Sequence, residues 1–494
     1  MNQGSPASVY DNPSKWSHED IADLKKQLDR EYDLNDLRPE NLAAAIFIST
    51  GFMGGDSDLG TVIRQRLLSY TVSHAVRTSA WYAETYGPDF SSGPIGIPEF
   101  ESLPLMDKTA LIDHGSEFWC QAGDLAFCSY TSGTTTKPVV VARSAQEQAY
   151  ISNFFTSMLG FSKWDKRPQR VVLDSATWTH GQQIRVPGTG FSLPVSFASS
   201  PGYEVALDLL QRKFPLFGEL RHIDTISGGL IALLALTVFL EDRNLRQLSE
   251  PIGALHSTSH YVTEKCRRFL EEFWNCDLVD HFSFTEIFTT ATQCQHCHTY
   301  HFDFMSYPEV IDIKSGKAKR LGRGKLAVTG LFPFSQMTPL IRYCTGDLVE
   351  VREVSCPTDS VGYVFLGRRE SAVDLSDYDR PGEFLSGAEI YDIIDALPEL
   401  YRPNMRGPLP RSVLNLKGMP NFRLRNSAKC IELQLELNTE LANDQKRLTG
   451  LNDQILNQLQ CGNPTINSLL AEGDFKLSFH SPGSLDLGLQ KFIL

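Results

Sequence analysis

The chain has 494 residues, room for one large domain and a smaller companion. A composition of 41% hydrophobic and 21% charged residues is that of a folded globular protein and excludes disorder for most of the length. Lys and Arg number 46 against 59 Asp and Glu, a formal charge of −13 that argues against nucleic acid or an anionic membrane as the main partner. A small anion gripped at one local site stays open.

The polar start MNQGSPASVYDNPSKW lacks a cationic-then-apolar signal pattern. The ten cysteines are therefore expected in a reducing cytoplasm, binding metal or standing idle rather than forming a disulfide framework. Ser17-His-Glu-Asp20 starts a helix, and helical patterning continues to about Tyr86. Residues 120–360 mix short apolar strands with helices, which implies an α/β sheet domain. Within them VVLDSA (171–176) and KLAVTGL (325–331) read as strands, and Val262–Phe273 as an amphipathic helix. The longest apolar run, Thr225–Leu240, is shorter than the ~20 residues a bilayer crossing needs and reads as a buried helix. Composition shifts after Gly367, and the polar segment Asp374–Gly387 reads as a linker. Beyond it Cys430–Leu437 alternates like a strand, Thr439–Gln460 is helical, and Phe475–His480 is strand-like again. The expected class is α/β, with a large N-terminal domain (1–369) of mixed sheets and helices and a small, mobile α+β C-terminal domain (370–494).

The strongest local signal is Tyr130-Thr-Ser-Gly-Thr-Thr-Thr-Lys-Pro138, directly after the apolar stretch Leu125–Cys128. Backbone N–H groups and hydroxyls in such a loop wrap a phosphate, and Lys137 adds charge. No Walker loop is present. Alone, the segment reads equally as a polar surface turn. It has company, in order along the chain. Phe282-Ser-Phe-Thr-Glu286 follows an expected strand (Asp277–Asp280), and Pro339-Leu-Ile-Arg-Tyr-Cys-Thr-Gly-Asp347 follows another. Phe365-Leu-Gly-Arg-Arg-Glu370 closes the large domain, and Pro482-Gly-Ser-Leu485 leads to Lys491. This set resembles the adenylate-forming superfamily of acyl-CoA synthetases, adenylation domains and luciferases. In detail it resembles the phenylacetate-CoA ligase family, through SGTTTKPVVV, YPEVID, PLIRYCTGD and Leu103-Pro-Leu-Met-Asp-Lys-Thr-Ala-Leu111. The resemblance runs from about residue 60 to the end.

It implies a two-step reaction in which a carboxylate attacks the α-phosphate of ATP and a thiol or other nucleophile then takes the acyl group. It assigns the phosphates to Thr131, Ser132, Gly133, Thr134, Thr135 and Lys137, and adenine stacking to Phe282. Thr285 would touch the α-phosphate, Glu286 would hold Mg²⁺, and Asp347 would accept both ribose hydroxyls. Arg368 would reach the ribose or phosphate, and Lys491 would stabilise charge at the reacting centre. A carboxylate accepts two hydroxyls at once, and Mg²⁺ needs few protein carboxylates beside phosphate oxygens. The chain departs from the family pattern at Thr136 and Ser283, which stand where glycines are usual, and at Phe282 and Glu370, which replace Tyr and Asp.

Cys294-Gln-His-Cys-His-Thr-Tyr-His301 gathers thiols and imidazoles, and Cys294 and Cys297 have the C-x-x-C spacing that suits Zn²⁺. The resemblance implies a zinc held by Cys294, His301 and Cys356, with Cys297 or His298 as the fourth ligand. It places the acid near Trp178, His180, Gly228 and His256, a lining that suits an aromatic or heteroaromatic acid. The expected partners are that acid and CoA, with no nucleic acid or membrane, and a homodimer stays open. One alternative is an adenylating enzyme of specialised metabolism that serves an amine, a carrier-protein thiol or another nucleophile. The other is a non-catalytic, zinc-stabilised nucleotide-binding protein.

Overall fold

A computed structural model describes residues 57–120, 125–130, 137, 139–148, 171–175, 191–196, 200–216, 218–245, 250–356, 360–402, 420–427, 430–438 and 445–485. The expected helix start at Ser17, the loop residues Thr131–Thr135, and Trp178, His180 and Lys491 lie outside them.

Helices Ser57–Thr78 and Ala80–Tyr86 open the described chain. Tyr82 is fully buried, donates to the Pro339 carbonyl at 2.8 Å and accepts from the Ile341 N–H at 3.1 Å. This end of the chain is thereby fastened to the PLIRYCTGD segment. A hairpin of β1 (Leu125–Tyr130) and β2 (Val140–Ser144) stands apart from the main sheet and brackets the hydroxyl-rich loop.

Among the described residues the main sheet has twelve strands. Its parallel half is built from β3 (Val171–Ser175), β4 (Phe191–Val195), β7 (Thr225–Gly229), β8 (Ala254–Thr258) and β9 (Leu278–Ser283). A small hairpin, β5 (Phe214–Leu216) with β6 (Glu219–Arg221), precedes β7. Helices Ser200–Leu210, Leu230–Glu241 and Glu264–Trp274 connect these strands and bury an apolar core, as parallel crossovers require. The antiparallel half comprises β10 (Thr290–Gln293), β11 (Tyr300–Phe302), β12 (Ser306–Ile311), β13 (Ala318–Lys319), β14 (Gly322–Gly330), β15 (Tyr343–Glu353) and β16 (Val361–Arg368). The strand order is β13-β12-β14-β15-β16-β11-β10-β9-β8-β7-β3-β4, and the direction changes between β9 and β10. The turn carrying Glu286 joins those two strands.

Thr225–Leu240 is not one helix. Its first five residues form β7, and the helix begins at Leu230. Gly228 lets β7 lie close against β3, since a Cβ there would meet the Ser175 Cβ at 2.6 Å. The helix that follows is apolar on every side, as a helix buried all round must be. Val262–Phe273 corresponds to the helix Glu264–Trp274, which Thr263 caps by accepting from the Cys266 N–H and which ends at Asn275 in the left-handed conformation.

The C-terminal residues have their own apolar core. β17 (Val373–Asp374) pairs with β18 (Phe384–Leu385), and the helix Gly387–Ile394 begins on a capping box between Ser386 and Glu389. β19 (Phe422–Ser427), β20 (Cys430–Glu436) and β21 (Phe475–His480) form a three-stranded sheet. β20 and β21 run parallel, with helices Gln445–Gly462 and Pro464–Glu472 between them. The expected linker Asp374–Gly387 is therefore ordered structure. Leu375, Tyr378, Phe384 and Leu385 are buried, and their burial outweighs the polar residues around them. This unit docks on the parallel half. Thr263 Oγ1 donates to Asp395 at 2.6 Å, Lys265 Nζ donates to the Asp395 carbonyl at 2.9 Å, and Tyr261 packs against the C-terminal core.

Candidate functional site

Glu286 sits in the turn between β9 and β10, and the buried Asp303 holds that turn in place. Asp303 accepts from the Thr289 hydroxyl at 2.8 Å and from the Thr290 N–H at 2.8 Å. Burial pushes its carboxyl up to about 7. The Tyr343 hydroxyl, from the start of β15, donates to Glu286 Oε1 at 3.2 Å.

Asp347 and Arg368 face each other across β15 and β16, with Arg368 Nη1 3.3 Å from Asp347 Oδ1. The same Nη1 donates to the Thr345 carbonyl at 2.7 Å. Gly346 makes this possible at φ +85°, a conformation glycine adopts without strain, and a Cβ there would lie 3.2 Å from Arg368 Nη1. Pro339–Asp347 follows β14 as expected, and Asp347 itself falls inside the next strand, β15. Likewise Phe282 and Ser283 close β9 itself. The charges of Asp347, Glu286 and Glu370 all act on Arg368, and those of Glu286, Arg368 and Asp347 on Tyr343. One electrostatic cluster therefore contains the acids and the arginine that the sequence placed far apart. Thr285 neighbours Glu286 in the same turn.

Phe282 stacks on Phe365 of β16 with ring centroids 3.6 Å apart and planes at 13°. Lys137 is exposed. Gly228 pairs with Ser257 and Ser227 with His256 on the adjacent parallel strands, so both expected acid-lining positions lie in the β7–β8 region. The remaining resembling segments also meet. Arg342 of PLIRYCTGD pairs with Glu309 of YPEVID at 3.0 Å, both buried. The Cys344 N–H donates to the Met106 carbonyl at 2.7 Å, which ties in the Leu103–Leu111 segment.

Tyr343, Arg143, Asp303 and His281 were not expected. Tyr343 stands inside a quoted motif, but its contact with Glu286 depends on the β15 register. Asp303 and Arg143 act across sequence separations that no local pattern reports.

Cys294, Cys297, His301 and Cys356 bring their ligand atoms within 4.8 Å of one another. Cys297 Sγ is 3.1 Å from His301 Nε2, and Cys294 Sγ is 3.6 Å from Cys356 Sγ. The first three lie on the β10–β11 hairpin, and Cys356 follows β15. Zinc–sulfur bonds of about 2.3 Å in a tetrahedron set sulfurs about 3.8 Å apart, so the donor set and spacing fit zinc. His298, the other candidate for fourth ligand, is not part of this group; its backbone takes φ 56° in the turn. Gly362 lets β16 pass, since a Cβ there would strike Thr299 Oγ1 at 1.9 Å.

The fold is that of the adenylate-forming enzymes. The chain is similar to 2-hydroxyisobutyryl-CoA ligase in the postadenylation state in complex with R3-HIB-AMP, at 15% identity over 92% of each chain and a TM-score of 0.58. It is similar to the open conformation of that ligase in complex with 2-HIB-AMP and CoA, at 15% identity over 92% of this chain and 94% of that one, with a TM-score of 0.59. Against the same ligase in the thioesterification state the TM-score is 0.52. No family model matches the chain, and no curated protein matches it. Among the described residues, no helix is long and apolar enough to cross a membrane.

Proposed function

We propose that this protein activates a small carboxylic acid with ATP and passes the acyl group to the thiol of CoA. The observation that carries the reading is the single cluster of Glu286, Tyr343, Asp347 and Arg368 on this fold. A carboxylate oxygen forms a bond to the α-phosphorus, the bond to the bridging oxygen breaks, and pyrophosphate leaves. The thiolate then attacks the acyl carbon, and AMP leaves with the carboxylate oxygen.

Asp347 accepts the two ribose hydroxyls as charge-assisted hydrogen bonds, about twice as strong as neutral ones. Arg368, held by Asp347 and the Thr345 carbonyl, presents its charge toward the nucleotide. Thr285 donates its hydroxyl to the α-phosphate. Glu286, oriented by Tyr343, is the carboxylate that would hold Mg²⁺, whose charge offsets that of the phosphates. Residues 131–135, with Lys137, grip the β- and γ-phosphates, and Lys491 stabilises the charge that develops at the reacting carboxylate. The ligase to which the chain is similar carries an acyl-AMP and CoA in its site, which supports CoA as acceptor. The division into residues 1–369 and 370–494 belongs to the same reading, with the shorter part delivering Lys491.

The phenylacetate-CoA-ligase-like subtype is part of this proposal and rests on the quoted motifs. So does the preference for an aromatic or heteroaromatic acid, lined by Trp178, His180, Gly228 and His256. The Cys294, Cys297, His301 and Cys356 group would hold a structural zinc, since four protein ligands leave no open position. That ion would pin the β10–β11 hairpin to the segment after β15.

The test is pyrophosphate release from ATP over a panel of carboxylic acids with no acceptor present, followed by hydroxylamine trapping. Acid-dependent release with a matching hydroxamate is expected. ATP binding without release for any acid sinks the proposal in favour of a non-catalytic nucleotide-binding protein.

A further inference from the structure

We infer that Arg143 is a positioning residue that locks the turn bearing Glu286 to the strand leaving the hydroxyl-rich loop. The inference rests on the proposed reading of Glu286 as the magnesium carboxylate. Arg143 lies on β2, and Glu286 lies 143 residues further along the chain. Arg143 Nη2 donates to the Glu286 carbonyl at 2.9 Å. Its Nη1 lies 3.6 Å from Glu147 Oε1, and both side chains are almost wholly buried, at 3% and 1% exposure.

Glu147 is itself fixed, accepting from the Ser144 N–H at 2.5 Å and from the Gln336 N–H at 2.6 Å. The Thr338 hydroxyl grips the neighbouring Ala142 through its N–H and its carbonyl, both at 3.1 Å. The guanidinium therefore has little freedom to move. Burial opposes its charge, and the Glu147 and Glu286 carboxylates favour it.

A buried ion pair is not by itself evidence of stability, because well-packed apolar residues often do as well. The informative feature is where the second donor goes. It reaches the carbonyl of the residue whose carboxylate is held by Tyr343, so Glu286 is fastened at its backbone by Arg143 and at its side chain by Tyr343. The strand that leaves the phosphate loop and the turn that would hold the metal then keep one fixed spacing. Glu286 would hold Mg²⁺ well only where that spacing is kept, since Mg²⁺ tolerates little departure from its preferred coordination. Arg143 is thus expected to act on the metal-dependent part of ATP binding rather than on nucleotide binding as a whole.

The experiment measures ATP affinity by isothermal titration, with Mg²⁺ and with a chelator, on the full chain. It compares wild type, the double variant Arg143→Met/Glu147→Gln, and Arg143→Lys. The double variant removes both buried charges together and leaves neither alone inside; its folding is read by circular dichroism. It should bind metal-free ATP within about twofold of wild type and lose about tenfold of the enhancement that Mg²⁺ gives, the scale of one charge-assisted bond. Arg143→Lys keeps the charge but not the fork, and should raise the half-saturating Mg²⁺ several-fold with metal-free binding unchanged. An unaltered Mg²⁺ enhancement in either folded variant overturns the inference, and so does an equal loss with and without metal. Acid-dependent pyrophosphate release by wild type is read separately, so failure of the proposed function is told apart from failure of the Arg143 role.

Discussion

Replacing His281 by asparagine tests how the middle of the sheet treats a proton. His281 on β9 stacks on His256 of β8, with ring centroids 5.0 Å apart and planes at 11°. His256 Nδ1 lies 2.7 Å from His281 Nε2, and His281 Nδ1 lies 3.0 Å from Thr292 Oγ1 on β10. The nitrogen-to-nitrogen bond holds one proton, and a second on that axis would set two N–H donors against each other. Burial pushes His281 down from 6.5 to about 4. A folded-state value below the unfolded one means that the unfolded chain takes the proton first. The stabilisation is then complete above about pH 6.5 and is lost as pH falls from there toward 4. At ~1.36 kcal/mol per unit the full effect is about 3 kcal/mol, of which about 2 kcal/mol is gone by pH 5. Urea unfolding of wild type and His281→Asn at pH 7.5 and pH 5 measures it. The wild type should lose about 2 kcal/mol more than the variant over that interval. Parallel losses in the two proteins would refute the reasoning.

Asp347→Asn leaves Arg368 without its carboxylate and removes a charged acceptor, so ATP affinity should fall about tenfold to a hundredfold by isothermal titration. Glu286→Gln should cut pyrophosphate release by about 10²-fold, and excess Mg²⁺ should recover part of it. Lys491→Ala should cut adenylate formation by about 10²-fold in a hydroxamate assay, the size of a lost transition-state charge contact. For the metal group, native mass spectrometry should find about one zinc per wild-type chain and none after Cys356→Ser. Thr263→Val removes the hydroxyl that donates to Asp395 Oδ2 while Arg402 stays paired with Oδ1, and the oxygen that loses its donor should cost about 1–3 kcal/mol, read as faster proteolysis near residues 371–386.

Local chemistry made much of the fold legible. β3, β14, β20 and β21 fall where apolar alternation placed strands, because each buries one face or both. Two misreadings have one cause. In Thr225–Leu240 a parallel strand and a buried helix share the same unbroken hydrophobicity, so pattern alone cannot find the break at Gly229. In Asp374–Gly387 the few apolar residues are spaced to fill a core contributed by distant helices, and surrounding Asp and Gly hide them. The site divides in the same way. Glu286, Asp347 and Arg368 sat in recognisable segments. Asp303 and His281 gain their partners only when the sheet order sets β9, β10 and β11 side by side, and Arg143 only when the separate β1–β2 hairpin meets the turn between β9 and β10; no spacing in the chain encodes either.

The central claim is that a carboxylate oxygen of the substrate attacks the α-phosphorus. Incubating the protein with ATP, Mg²⁺, CoA and the activated acid carrying ¹⁸O in its carboxylate tests it by mass spectrometry of the AMP. The account predicts one ¹⁸O in each AMP and one fewer in the acyl product. AMP containing only ¹⁶O, or ADP in its place, contradicts it.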